Sequence, residues 1–192
     1  CNTDFTAKSE PVAKILQKAV DKLLKNPTAD LSADAEIKTE LTNVAQTTGE
    51  NVQLSKAVAL TNPGGVTGAY VYVATGKIAV IMSLNGKADD ALFTGLGGHI
   101  AFHKPLGMTR ADVPADLVEK ERAFAVEQAK ATGKPQQIAE KIAEGKLNAF
   151  FAEKVLLDQP FFNSQVFDGK VGDMLKKGGA ELVKYELVEV GK

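Results

Sequence analysis

Two helical stretches of similar length flank Gly133-Lys134-Pro135, and a link that short leaves the chain little to do but reverse. The first stretch runs from Pro114 to about Thr132 and the second to about Lys154. Proline is tolerated in the first turn of a helix, where its missing N–H costs nothing. Helices joined by so few residues lie antiparallel. The pattern therefore predicts a charge-rich helical hairpin projecting from the body of the protein. Its seam is expected to consist mostly of Leu117, Phe124, Ile138, Ile142, Leu147 and Phe150.

The rest of the chain reads as alternating helix and strand signals. Val12, Ile15, Leu16, Ala19, Val20, Leu23 and Leu24 recur at helical spacing and predict a helix over 9–25, with Ser9 as its N-cap. Asn26-Pro27 ends it, because proline disfavours helix in the residue before it. A second helix opens at Ser32 with Asp34 and Glu36, runs to about Thr47 and is closed by Gly49. Residues 51–61 alternate as a strand does. Asn62-Pro63-Gly64-Gly65 is the strongest break and predicts a boundary between subdomains 1–62 and 63–192, the latter with the hairpin 114–154 inserted. Beyond it, β-rich runs over 66–73 and 77–84 are joined by Ala74-Thr75-Gly76 as a β-hairpin. A helix over 88–104 contains Gly95, Gly97 and Gly98, at a cost of about 1 kcal/mol each relative to alanine. Close packing of another backbone is the simplest compensation. A short helix over 171–177 and a strand over 181–190 finish the chain.

A weak internal repeat links the two halves. The hairpin, Leu84-Asn85-Gly86-Lys87-Ala88-Asp89 and a helix resemble Cys1-Asn2-Thr3-Asp4-Phe5 and its helix. The halves are then related units, the first lacking its leading hairpin. The expected class is α+β, with two related subdomains holding small antiparallel sheets. Cys1 is read either as the start of a chain whose beginning is missing or as the lipid-carrying cysteine of a processed lipoprotein, and the repeat favours the former.

Several chemistries are excluded. Basic and acidic residues balance, 23 against 24, so charge gives no support for binding nucleic acid or an anionic membrane. No apolar run approaches the roughly 18 residues of a membrane span. A single cysteine rules out an internal disulfide and fits a reducing compartment. His99 and His103 share one helix face, but Ile100 stands where a metalloprotease has glutamate and no third ligand is near. The glycine clusters lack the ending of a phosphate-binding loop, and no nucleophile-and-base set is visible. No cofactor, metal site or active site is expected.

Thr3-Asp4-Phe5-Thr6 stands out instead. A phenylalanine among polar residues at a helix entrance has little local core to enter, so it either staples its own helix or serves a partner's pocket. Taken with Gly49-Glu50-Asn51, Gly68-Ala69-Tyr70, His99-Ile100-Ala101, Glu119-Lys120-Glu121, Gly133-Lys134-Pro135, the run Ile138 to Leu147 and Gln159-Pro160-Phe161, the chain resembles the elongation factor Ts family. The resemblance implies a guanine-nucleotide exchange factor for elongation factor Tu, working in the bacterial cytoplasm or an organelle without covalent catalysis. It implies that Thr3, Asp4, Phe5 and Thr6 meet the GTPase domain, with Phe5 as the wedge, and that His99 lies in a segment docking on another domain. The family's three-helix leading module has no counterpart here, and it often has valine where Thr6 stands. A protein-binding or chaperone-like module using the helical hairpin, without exchange activity, is the alternative.

Overall fold

The computed structural model describes residues 1–191 as a mixed α+β architecture, helices with one small antiparallel sheet. The chain divides into two compact units, Cys1–Thr61 and the remainder from Asn62.

The first unit holds α1 (Asp4–Ala7), α2 (Glu10–Lys25) and α3 (Ala35–Thr48). Val12, Ile15, Ala19 and Leu23 of α2 are buried with Leu31, Ile37, Val44 and Val52. The other apolar residues of α2, Leu16, Val20 and Leu24, lie exposed along a neighbouring stripe, since seven positions span too wide an arc for one contact face. Ion pairs reinforce the α2–α3 contact: Lys18 reaches Glu36 at 2.6 Å and also Glu40, while Lys22 reaches Asp34 at 2.6 Å and Glu36 at 2.9 Å.

Ser9 is the N-cap residue of α2, although its hydroxyl donates to Thr6 O at 2.7 Å and does not accept from the helix. Two expectations for this unit need correction. α3 opens at Ala35 and not at Ser32, with Asp34 capping it by accepting from Ile37 N at 3.0 Å. Ser32 is held in a local turn, both its N–H and its hydroxyl donating to Asp30 Oδ1. Residues 51–61 form no strand. Val52 and Leu54, then Ala57 and Ala59, do go to the core as two short alternating runs out of phase with each other, but a ladder needs a neighbouring strand, and among the described residues this unit has none. The expected pair of sheets is thus a single sheet in the second unit.

That sheet has the order β1-β2-β3, formed by β1 (Val66–Val71), β2 (Ile78–Gly86) and β3 (Ala180–Glu189). Tyr70 pairs with Val80, and Met82 with Tyr185, before a register shift at Ser83/Leu84. α4 (Asp90–His103) is capped by Asp89, whose carboxylate accepts from Leu92 N at 2.8 Å. It lies on β1 and β2, burying Phe93, Leu96 and Ile100 against Val80, Met82 and Leu84.

Gly97 makes this contact possible. A Cβ there would stand 2.3 Å from Tyr70 Cβ and 2.9 Å from its Cγ, closer than van der Waals contact allows. Gly97→Ala is expected to lower stability by about 1–3 kcal/mol, the strain of overpacking exceeding the helix-propensity gain. All three tyrosines, Tyr70, Tyr72 and Tyr185, belong to this unit and tryptophan is absent. Urea unfolding followed by tyrosine emission therefore reads the effect locally.

α5 (Ala115–Ala131) and α6 (Gln136–Lys154) pack along one another. Their buried residues are Ala125 and Ala129 on one helix, and Ala139, Ala143, Leu147 and Phe151 on the other. The expected seam is corrected here: Phe124 and Ile138 are 57% and 47% exposed. Alanines at four-residue spacing let the two backbones approach, which leaves larger side chains outside the contact. Leu117, Leu147 and Phe150 remain in a cluster at the base with Val113, Phe151 and Val155. Backbone bonds from Leu106 N to Lys154 O and from Leu156 N to Gly107 O join the two ends of this pair. α7 (Val171–Gly178) completes the core with Val171 and Leu175.

Candidate functional site

α1 is a single turn, too short to be stable by its own hydrogen bonds. Thr3 caps it, its Oγ1 accepting from Thr6 N at 3.3 Å, and Asp4 lies in the first turn, where the helix dipole favours a negative charge. Phe5 follows, and its ring is 87% exposed. The staple reading of this ring is thereby set aside. Thr6, the next residue, is buried.

A carboxylate distant in sequence holds this turn. Glu50 Oε2 accepts from Thr3 N at 2.9 Å, while Oε1 accepts from the Thr3 hydroxyl at 2.6 Å and the Thr6 hydroxyl at 2.8 Å. These hydrogen bonds hold the Glu50 carboxyl below the usual carboxylate range. Glu50 reaches the turn because Gly49 closes α3 in the left-handed conformation, φ 71°, a geometry glycine adopts without strain.

His99 occupies a different setting, in the second unit, and is fully buried. Its Nδ1 accepts from Phe162 N at 3.2 Å, which leaves the Nε2 proton to donate to Gln159 Oε1 at 2.9 Å. Gln159 in turn donates from Nε2 to Glu153 O at 2.6 Å, within the last turn of α6. Each group donates where its neighbour accepts. Burial pushes the His99 imidazole down to about 4, so it is neutral at physiological pH. Both ring nitrogens are engaged, and His99 is therefore not available as a metal ligand. The ring stacks on His103 at 4.3 Å between centroids and lies 5.6 Å from Phe161.

Beside this network lies an open cleft of about 1320 Å³, lined by Tyr70, Tyr72, Phe102, His103, Phe161 and Phe162 among others. Phe102 is 78% exposed. An apolar, aromatic concavity of this kind suits another protein's side chains better than a charged ligand.

Of the five residues singled out from sequence, Thr3, Asp4 and Phe5 lie together at the surface of the first unit. Thr6 belongs to the same turn with its side chain covered, and His99 is covered in the second unit. Sequence reasoning gave no role to Glu50, Gln159 or Phe162. Glu50 and Gln159 fall in triplets with recognisable composition, but their partners lie 44 to 60 residues away, where no local pattern reaches.

Residues 2–192 match the family model described as Elongation factor TS. The chain is 32% identical to elongation factor Ts of Alkalilimnicola ehrlichii, covering 99% of this chain and 66% of that protein. It is 34% identical to elongation factor Ts of Gluconobacter oxydans, covering 100% and 65%. Against elongation factor Ts of Limosilactobacillus reuteri the identity is 35%, covering 99% and 67%. The chain thus spans about two thirds of the length of the curated relatives it matches.

Proposed function

This chain belongs to the elongation factor Ts family, and from that premise we propose that it binds elongation factor Tu and promotes GDP release without covalent catalysis. The observation that carries the reading is the Phe5 ring, exposed on a turn that its own unit holds in place. Magnesium, a lysine and backbone amides hold the nucleotide's negative charge in a GTPase, so displacing any of them weakens binding considerably. Phe5 enters a pocket of the partner that opens only when this region is deformed, with Asp4 beside it. Thr3 and Thr6 support the turn. Because the gain exists only in the deformed state, the factor favours that state. Linkage then requires nucleotide to weaken the factor's binding by the same ratio.

The two units are read as related subdomains, 1–62 and 63–192, with α5 and α6 forming a protruding antiparallel hairpin inserted over 114–154. The second subdomain docks on another domain of the partner through its aromatic cleft. His99 acts there by holding Phe162 and, through Gln159, the end of α6. The setting is the bacterial cytoplasm or an organelle. No helix among the described residues is long and apolar enough to cross a membrane.

The test is release of fluorescent GDP from elongation factor Tu. Substoichiometric amounts of this chain are expected to accelerate it. Tight binding with an unaltered release rate would reject exchange. It would favour a non-exchange binding module instead, a reading for which exposed Phe124 and Ile138 on α5 and α6 supply the surface.

A further inference from the structure

We propose that Glu50 is the positioning residue of the exchange reaction, its carboxylate setting the direction in which Phe5 is presented; this rests on the function proposed above. An exposed ring has no packing to orient it, so its direction is that of the backbone carrying it. For Phe5 that backbone is one helical turn, closed by Ala7 N to Thr3 O at 3.2 Å and Lys8 N to Asp4 O at 3.0 Å. A turn so short does not persist alone. Ser9 ties its far end, its hydroxyl donating to Thr6 O. The near end depends on Glu50, which receives the backbone N–H and hydroxyl of Thr3 together with the Thr6 hydroxyl.

The chemistry of that acceptor is specific. An ionised carboxylate has only acceptor sites, and all three groups facing it are donors. Hydrogen bonds to a charged acceptor are also the stronger kind. Glutamine has the same shape but is neutral, so every bond it accepts loses the strength of a charged acceptor, and its donating amide can face only the two hydroxyls, which must then turn their own protons elsewhere. The Glu50 backbone is fixed in its own right, since it follows the left-handed Gly49 and its N–H donates to Thr48 Oγ1 at 3.3 Å. The end of α3 thus anchors the turn across 47 residues of sequence. Preorganising the wedge in this way removes ordering entropy that would otherwise oppose insertion.

The test uses the full chain with fluorescent-GDP-loaded elongation factor Tu, comparing wild type, Glu50→Gln, Phe5→Ala and the double variant over a range of factor concentrations. Glu50→Gln is expected to lower the maximal release rate about tenfold, below the roughly hundredfold that misplacing a reacting group by an ångström can cost. The concentration giving half-maximal effect should hardly move. In the Phe5→Ala background the same substitution should add nothing. An unchanged maximal rate, or an equal loss in both backgrounds, overturns the proposal. Amide hydrogen exchange of the variant without partner reads the clamp separately. Protection at residues 3–7 should fall while α2 and α3 keep theirs, and unaltered protection of the turn also overturns it. If Phe5→Ala itself leaves release unchanged, the wedge is wrong and Glu50 loses its part in exchange. Hydrogen exchange would then still decide whether the carboxylate holds the turn.

Discussion

Replacing Phe5 by alanine is expected to slow the GDP release proposed for this chain by about 10- to 150-fold, the equivalent of losing about 1.5–3 kcal/mol of apolar burial. The size follows from the ring's position. At 87% exposure it contributes almost no packing to its own unit, so nearly all its burial free energy remains to be gained on the partner. The same fact predicts where the loss appears. Interactions made only in the deformed partner lower the barrier to nucleotide loss, so the maximal rate falls while the concentration dependence changes little. The free protein should scarcely notice, with stability altered by no more than about 0.5 kcal/mol, as for surface substitutions in general. Stopped-flow release of fluorescent GDP measures the first quantity and urea unfolding the second. Unchanged release by a folded variant would refute the wedge.

What the sequence revealed and what it hid divide along a physical line. α2, α3, α4 and the β1–β2 hairpin were legible because each is specified within a short window, by apolar period, caps and breakers. Residues 51–61 carry the period of a strand without becoming one, because the period fixes which side chains go inward and a ladder requires a partner that no local pattern supplies. The α5–α6 contact misled for a related reason. Size suggested Phe124 and Ile138 for the seam, yet the closest approach of two helices is made by the smallest residues, here Ala125, Ala129, Ala139 and Ala143. At the candidate site, Phe5 announced itself by being apolar in a polar setting. Glu50 could not, since one more glutamate among 24 acidic residues has no signature until Thr3 and Thr6 are seen facing it.

Replacing His99 by leucine is expected to lower the stability of the second unit by about 2–4 kcal/mol at pH 7 and to remove most of its sensitivity to mild acid. Leucine matches the buried volume roughly but answers neither hydrogen bond. It leaves Phe162 N–H, on a half-exposed residue, without its acceptor and the buried Gln159 Oε1 without its donor. The acid response has its own sign. In the folded protein the imidazole takes up a proton only near pH 4, held down by burial, whereas the ordinary value is 6.5. Between those values the unfolded chain binds the extra proton. Stability contributed by neutral His99 is therefore full above pH 6.5 and declines as pH falls toward 4, by about 2–3 kcal/mol in all. His103, stacked against it and lowered by partial desolvation, is exposed, so solvent screening leaves it only a small slope of the same sign, which should survive in the variant. Urea midpoints from tyrosine emission at pH 7 and pH 4.5 separate the two effects. Wild type should lose stability over that interval and the leucine variant much less. Equal losses would mean that His99 is not the group responsible. An undiminished midpoint at pH 7 would mean that its two hydrogen bonds contribute nothing net, and that Phe161 and Phe162 are held over the cleft by packing alone.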